Sequence, residues 1–226
     1  MKLRQIMEIT KTIYKRLLES YGPQLWWPAE TPFEIMVGAV LTQNTNWNNA
    51  EKAIISLKTA NVLNIKSINQ MTESRLSSLI RPSGFHRVKA KTLKSLASLL
   101  NREFGSCIEK LKELPANKKR RLLLRIKGIG PETADDIMLY VLDEPRFVVD
   151  EYTKRIFSRI GITPISNSYE SWQKMLETEF GGALNDLREY HGLLVALGKT
   201  CCKKIPDCAE CPLCSICVYG SAHQSI

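Results

Sequence analysis

Six of the seven cysteines fall between Cys201 and Cys217, and only Cys107 lies elsewhere. The run Cys201-x6-Cys208-x2-Cys211-x5-Cys217 gathers four thiolates within seventeen positions, with Cys202 and Cys214 as further thiols. Soft sulfur ligands packed this closely suit zinc or an iron–sulfur centre. A zinc ribbon usually offers two paired Cys-x2-Cys knuckles on a longer spacer, whereas the outer cysteines here are single and the loop is tight. Iron–sulfur is therefore favoured over zinc. Unliganded thiols fit least well, because six neighbouring free cysteines invite oxidation. A secreted disulfide framework would spread its cysteines along the chain.

Two shorter runs could also do chemistry. Ile126-Lys127-Gly128-Ile129-Gly130-Pro131-Glu132 places two glycines around one apolar residue and a proline just beyond, a tight turn between helices with Ile129 plugged into the core. Such a turn leaves backbone N–H groups facing outward at a helix N-terminus, which is a phosphate cradle or simply a helix–helix connection. Lys118, Lys119, Arg120, Arg121, Arg125 and Lys127 add positive charge around it. Val148-Val149-Asp150-Glu151 sets an acid at the start of a helix, where it serves as an N-cap or as a catalytic carboxylate.

Helices must position all three. Apolar residues recur at three- and four-residue intervals nearly throughout, and alternating runs are almost absent. Ile6, Ile9, Ile13, Leu17 and Leu18 stripe a first helix that stops near Tyr21-Gly22-Pro23. Thr31-Pro32-Phe33-Glu34 announces a second, with Thr31 as N-cap, Pro32 at the first helical position and Glu34 closing a capping box. Further helices are expected over 48–59, 72–79, 88–104, 118–125, 132–141, 151–159, 169–180 and 183–197. The one plausible extended piece, Arg146-Phe147-Val148-Val149, is too short to build a sheet. The chain reads as all-α.

Composition bounds the rest. At 226 residues, with 32 Lys+Arg against 23 Asp+Glu, the chain is long enough to bury a core and carries a formal charge of +9. Disordered, collagen-like and disulfide-scaffold classes are excluded. The charged Met1-Lys2-Leu3-Arg4-Gln5 start and the lack of any long apolar run imply a soluble, cytoplasmic protein with no membrane partner. A +9 surface suits a polyanion such as nucleic acid, although on composition alone a solvated basic surface is the commoner explanation.

Taken together, the Gly-x-Gly hairpin, an acid twenty residues past its second glycine and the 6-2-5 cysteine spacing resemble the helix-hairpin-helix DNA glycosylase superfamily, in its endonuclease III branch. The resemblance runs from about Tyr21 to Tyr219. It implies two helical domains: a six-helix barrel over 22–130, and a second domain from 1–21 and 131–226 that holds a [4Fe–4S] cluster on Cys201, Cys208, Cys211 and Cys217. Double-stranded DNA containing damaged bases would lie across the cleft between them, bound by a monomer associated with a bacterial or archaeal nucleoid. Asp150 matches the catalytic aspartate. Gln43 looks like the residue that fills the gap left by a flipped nucleotide. Gly128, Gly130 and Lys127 of the hairpin, with Lys89 and Lys91 of a second loop, would contact DNA.

One departure is informative. Members that also cut the strand carry a lysine two residues after the second hairpin glycine, and here that position is Glu132, which cannot form a Schiff base. The implied enzyme is a monofunctional glycosylase without AP lyase activity. Trp26-Trp27-Pro28 and Trp47, taken with Glu132, resemble the base pocket of bacterial 3-methyladenine DNA glycosylases of the endonuclease III type. An aromatic slot suits a cationic alkylated purine through stacking and cation–π attraction. The alternatives are a glycosylase for T or U opposite G, an endonuclease III-like glycosylase with a displaced lysine, and a non-catalytic DNA-binding iron–sulfur module.

Overall fold

The computed structural model describes residues 3–223, and side chains from Glu8 to Ala222. Met1, Lys2 and the side chains of Leu3, Arg4, Gln5 and Ile6 lie outside that range. Among the described residues the regular structure is helical and no strand forms. The chain divides into two compact units, one of residues 1–27 with 145–226 and the other of residues 28–144.

In the unit spanning 28–144, α2 (Pro32–Leu41) is buried almost all round, the pattern of a central rather than a surface helix. It packs on α3 (Trp47–Thr59), α6 (His86–Phe104) and α9 (Pro131–Tyr140). The short α4 (Ile65–Gln70) and α5 (Glu73–Leu79) cover α6, with α7 (Ile108–Lys112) and α8 (Ala116–Leu124) completing the unit. Sequence periodicity misses α4 and α7 because five or six residues hold too little of the 3.6-residue repeat to register. Thr31, Asn46, Asn64 and Thr72 each cap a helix through the N–H three residues on. Glu34 does not close its box on Thr31. Its carboxylate accepts from the Glu30 N–H at 3.1 Å and pairs with Lys58 at 2.8 Å. The domain boundary expected after Gly130 falls instead after Glu144, because α9 packs on α2 and α8 of this unit.

The other unit joins α1 (Leu3–Tyr21) to α10 (Glu151–Ile160), α11 (Tyr169–Phe180), α12 (Leu184–Thr200) and α13 (Val218–His223). Ile13 and Leu17 of the expected stripe are fully buried. The centre is aromatic: Tyr190 lies 4.7 Å from Phe180, 5.3 Å from Tyr14 and 5.4 Å from Phe147, tilted or edge-on. Its buried hydroxyl donates to Thr10 O at 2.9 Å, as a sequestered phenol requires. The segment 146–149 is extended but forms no ladder. Glu177 accepts from the Phe147 N–H, and Gln173 Nε2 donates to the Phe147 carbonyl at 3.1 Å. Side chains of α11 thus replace the missing neighbour strand, and the segment delivers Asp150 to the start of α10.

Candidate functional site

Asp150 is the N-cap of α10, with extended backbone (φ −92°, ψ −178°) and Oδ1 accepting from the Thr153 N–H at 2.7 Å. Its other oxygen faces His191 of α12, with Oδ2 3.7 Å from Nε2, and only 14% of the carboxylate side chain is exposed. Burial drives its pKa upward, but His191 and the Thr153 hydrogen bonds outweigh burial and hold it below the ordinary carboxylate value. Capping therefore leaves the second carboxylate oxygen available. One oxygen is fixed by the helix, and the whole group stays ionised to face developing positive charge or to take a proton from water.

His191 and Lys199 escape a motif search, although their eight-residue spacing sets both on one face of α12. Lys199 is coupled electrostatically to Asp150; burial lowers its pKa and the carboxylate opposes that. Its Nζ lies 5.2 Å from the centroid of the Trp26 ring. Trp26 and Trp27, both half-buried, tilt against each other at 5.3 Å. They reach this neighbourhood because Gly192 has no Cβ: one built there would lie 3.0 Å from Gln24 Cβ and 3.1 Å from Trp26 Cβ. Gln24 N–H donates to Glu189 Oε1 at 2.6 Å, tying the same segment to α12.

The hairpin belongs to the 28–144 unit. Gly128 adopts φ +97°, and a Cβ there would overlap Thr92 Oγ1, which donates to Lys127 O at 3.1 Å. Ile129 is 5% exposed, the core plug expected. Gly130 caps α9 with Pro131 following, and nothing lies within 4 Å of a Cβ placed on it. Gln43 joins the hairpin directly, donating through Nε2 to Gly128 O at 2.9 Å and Thr133 Oγ1 at 2.8 Å. Lys91, Lys127 and Glu132 are exposed, and Trp47 is half-buried at the first position of α3.

Lys89 is a correction. Expected to touch DNA, it is 2% exposed, with Nζ turned inward and donating to Leu41 O at 2.8 Å and Ser83 O at 2.7 Å. Burial pushes its pKa down to about 8. The basic run at 118–127 is also thinner than its sequence suggests. Lys119, 4% exposed, pairs with Glu144 at 2.6 Å, and Arg120 bonds both oxygens of buried Asp135. Lys118, Arg121, Arg125 and Lys127 remain exposed. A helical-wheel reading locates the inward face of α8, but the acids at 135 and 144 are too distant in sequence to mark their partners.

Cys201, Cys202, Cys208, Cys211, Cys214 and Cys217 all line one cavity, and none is in a disulfide. Cys201, Cys202 and Cys214 are buried, the others partly so. Burial and neighbouring sulfurs raise the Cys208 and Cys211 thiols, the latter to about 11. As arranged, the sulfurs engage local partners: Cys217 Sγ lies 3.2 Å from Arg159 O, and Arg159 Nη1 donates to Cys202 Sγ at 3.2 Å. Among the described residues no three His, Cys, Asp or Glu side chains form a ready metal-binding group. The donor set nonetheless fits a thiophilic centre, since six sulfurs border one cavity with no competing disulfide. Arg159 further clamps the loop, donating to Lys203 O at 2.6 Å and Lys204 O at 2.8 Å.

Comparison with known proteins gives the same direction. Residues 37–180 match the family model described as HhH-GPD superfamily base excision DNA repair protein. A Methanocaldococcus jannaschii protein named as a DNA repair glycosylase is 43% identical over 216 residues, spanning 93% of this chain and 96% of that one. The structure of Helicobacter pylori 3-methyladenine DNA glycosylase bound to 1,N6-ethenoadenine is 30% identical, with a TM-score of 0.74 over 88% of this chain and 98% of that chain. An endonuclease III in non-covalent complex with DNA superimposes with a TM-score of 0.80 over the whole of both chains at 21% identity, a likeness of fold. No helix among the described residues is long and apolar enough to cross a membrane.

Proposed function

Because the chain belongs to the HhH-GPD superfamily of base excision DNA repair proteins, we propose that it is a monofunctional DNA glycosylase that hydrolyses the N-glycosidic bond of alkylated purines, of the 3-methyladenine type, in double-stranded DNA. The observation that carries this reading is the ionised, helix-held Asp150 within its own unit, and the sequence adds that position 132 is a glutamate and not an amine. The adenine adduct named with the 30%-identical Helicobacter pylori structure supports the purine class.

In this reading the hairpin N–H groups and Lys127 hold the DNA backbone, with Lys91 adding charge from a second loop. Gly130 leaves room for a phosphate to approach, since neither its φ of −89° nor its packing otherwise calls for glycine. The target base leaves the stack and Gln43 takes its place. Trp26, Trp27, Trp47 and Glu132 are the residues we propose to contact the base. As the glycosidic bond lengthens, the Asp150 carboxylate stabilises positive charge on the sugar, and it accepts a proton as water adds at C1′.

Cys201, Cys208, Cys211 and Cys217 would hold a [4Fe–4S] cluster, a group that supplies a rigid fourfold crosslink and one-electron redox capacity when bound. The enzyme acts as a monomer in the cytoplasm, on nucleoid DNA.

The deciding experiment is a panel of duplexes carrying single lesions, scored for base release and for strand breaks with and without alkali. Release of alkylated purines, with breaks appearing only after alkali, is expected. Release of thymine or uracil from mispairs with guanine in their place, or trapping of the protein on DNA by borohydride, overturns the reading.

A further inference from the structure

The 6-2-5 set leaves Cys202 and Cys214 over, and Cys214 stands in step with the ligands. Cys208, Cys211, Cys214 and Cys217 follow one another at a strict interval of three residues. The backbone turns with the same period. The Cys211 N–H donates to Cys208 O at 3.3 Å, the Cys214 N–H to Cys211 O at 3.0 Å and the Cys217 N–H to Cys214 O at 3.2 Å. In turns of this kind residues three apart eclipse, which sets the four side chains on one side of the loop. All four line one cavity, together with Cys201 and Cys202.

Gly220 separates the two surplus cysteines. Its N–H donates to Cys217 Sγ at 3.4 Å, and a Cβ built on it would lie 2.9 Å from Cys214 Sγ. One residue therefore flanks both sulfurs, and its missing side chain leaves room for that of Cys214. Cys202 Sγ instead accepts from Arg159 Nη1 at 3.2 Å. Cys214 is 6% exposed, whereas Cys217 is only partly buried.

We infer that Cys214 is a reserve cluster ligand, which takes the iron of Cys217 when Cys217 is lost. The inference rests on the [4Fe–4S] reading of this loop and extends it. Cys208-x2-Cys211-x2-Cys214 is itself a ferredoxin-type run, which gives three thiolates to one cluster and draws the fourth from elsewhere in the chain. Cys201 would be that fourth. The second set thus shares Cys201, Cys208 and Cys211 with the first and differs only in Cys214 for Cys217. The exchange is redox-neutral. The Cys217 sulfur leaves its iron and takes a proton from solvent, while the Cys214 thiol gives its proton to solvent and bonds the same iron. A solvent-reached sulfur is the more readily modified, so the buried one is the better held in reserve.

The test uses the full chain purified without oxygen, with iron and acid-labile sulfide counted per chain and folding followed by helical circular dichroism. Cys217→Ala should keep about half or more of the wild-type iron, and Cys217→Ala combined with Cys214→Ala about a tenth or less. Cys214→Ala alone should stay brown but bleach about threefold faster in excess iron chelator, because no neighbouring sulfur recaptures the iron that Cys217 releases. If Cys217→Ala does not fold, the bleaching comparison decides alone. A folded Cys217→Ala chain as poor in iron as the double variant overturns the inference, as does a double variant that keeps its iron or a Cys214→Ala chain that bleaches at the wild-type rate. Each of these leaves the cluster standing. A wild-type protein without iron overturns both.

Discussion

His191 Nε2 approaches Asp150 Oδ2 to 3.7 Å from a different helix, while the N-cap bond to Thr153 holds Oδ1. Burial alone would favour the protonated acid; His191, with the cap, reverses that. Removing the imidazole by His191→Gln should therefore move the acidic limb of the kcat/KM profile to higher pH. The carboxylate's stabilising contribution is present above its ordinary pKa and is lost as pH falls through the lowered folded value. Acid unfolding of His191→Gln should accordingly begin at higher pH than that of the wild type. Asp150→Asn should cost about 10²–10⁴-fold in turnover and leave duplex affinity within a few fold. A pH profile superimposable on the wild type for His191→Gln would contradict the coupling.

The two hairpin glycines are not equivalent. Gly128→Ala puts a methyl at φ +97° and against Thr92 Oγ1, so a loss of about 1–3 kcal/mol in denaturant unfolding is expected. Gly130→Ala meets neither obstacle and should change stability by about 0.5 kcal/mol or less. Its effect should appear in duplex affinity, weakened about tenfold, or 1.4 kcal/mol, if a phosphate seats there. Equal effects of the two substitutions on stability would remove this distinction.

Lys89 offers a test at alkaline pH. Its folded pKa of about 8 lies below the ordinary lysine value, so the unfolded chain binds the proton more tightly. Wild-type stability, measured relative to Lys89→Met, should rise as pH increases from about 8 to about 10.5, by about 3 kcal/mol in total. The methionine variant lacks this titration and also leaves Leu41 O and Ser83 O without their donor. A wild-type-to-variant gap that stays flat across that range would place the lysine proton elsewhere.

The cysteine loop yields a spectroscopic prediction. The purified protein should be brown, and Cys208→Ala or Cys211→Ala should lose the colour. Cys202→Ala and Cys214→Ala should keep it, because those two positions fall outside the 6-2-5 set. A colourless protein loaded with zinc would reverse the assignment.

Spacing and periodicity carried much of this structure. The long helices, the Ile129 plug and the position of Asp150 at a helix start follow from local pattern, where each residue's neighbours are its sequence neighbours. Partners distant in the chain were not legible. His191 and Lys199 read as ordinary members of a helix until α12 is packed beside Asp150. Lys89 read as a surface cation because one buried lysine on an amphipathic helix looks like its exposed neighbours Arg87 and Lys91. Its two acceptors, Leu41 O and Ser83 O, are backbone carbonyls, which leave no side-chain signature. The thinning of the basic run at 118–127 has the same origin in pairing with distant acids.

Asp150 begins α10, and Arg159, in its last turn, grips the cysteine loop. Ten helical residues form a strut about 15 Å long that resists compression along its axis. The carboxylate and the cysteine loop thus sit at opposite ends of one rigid helix.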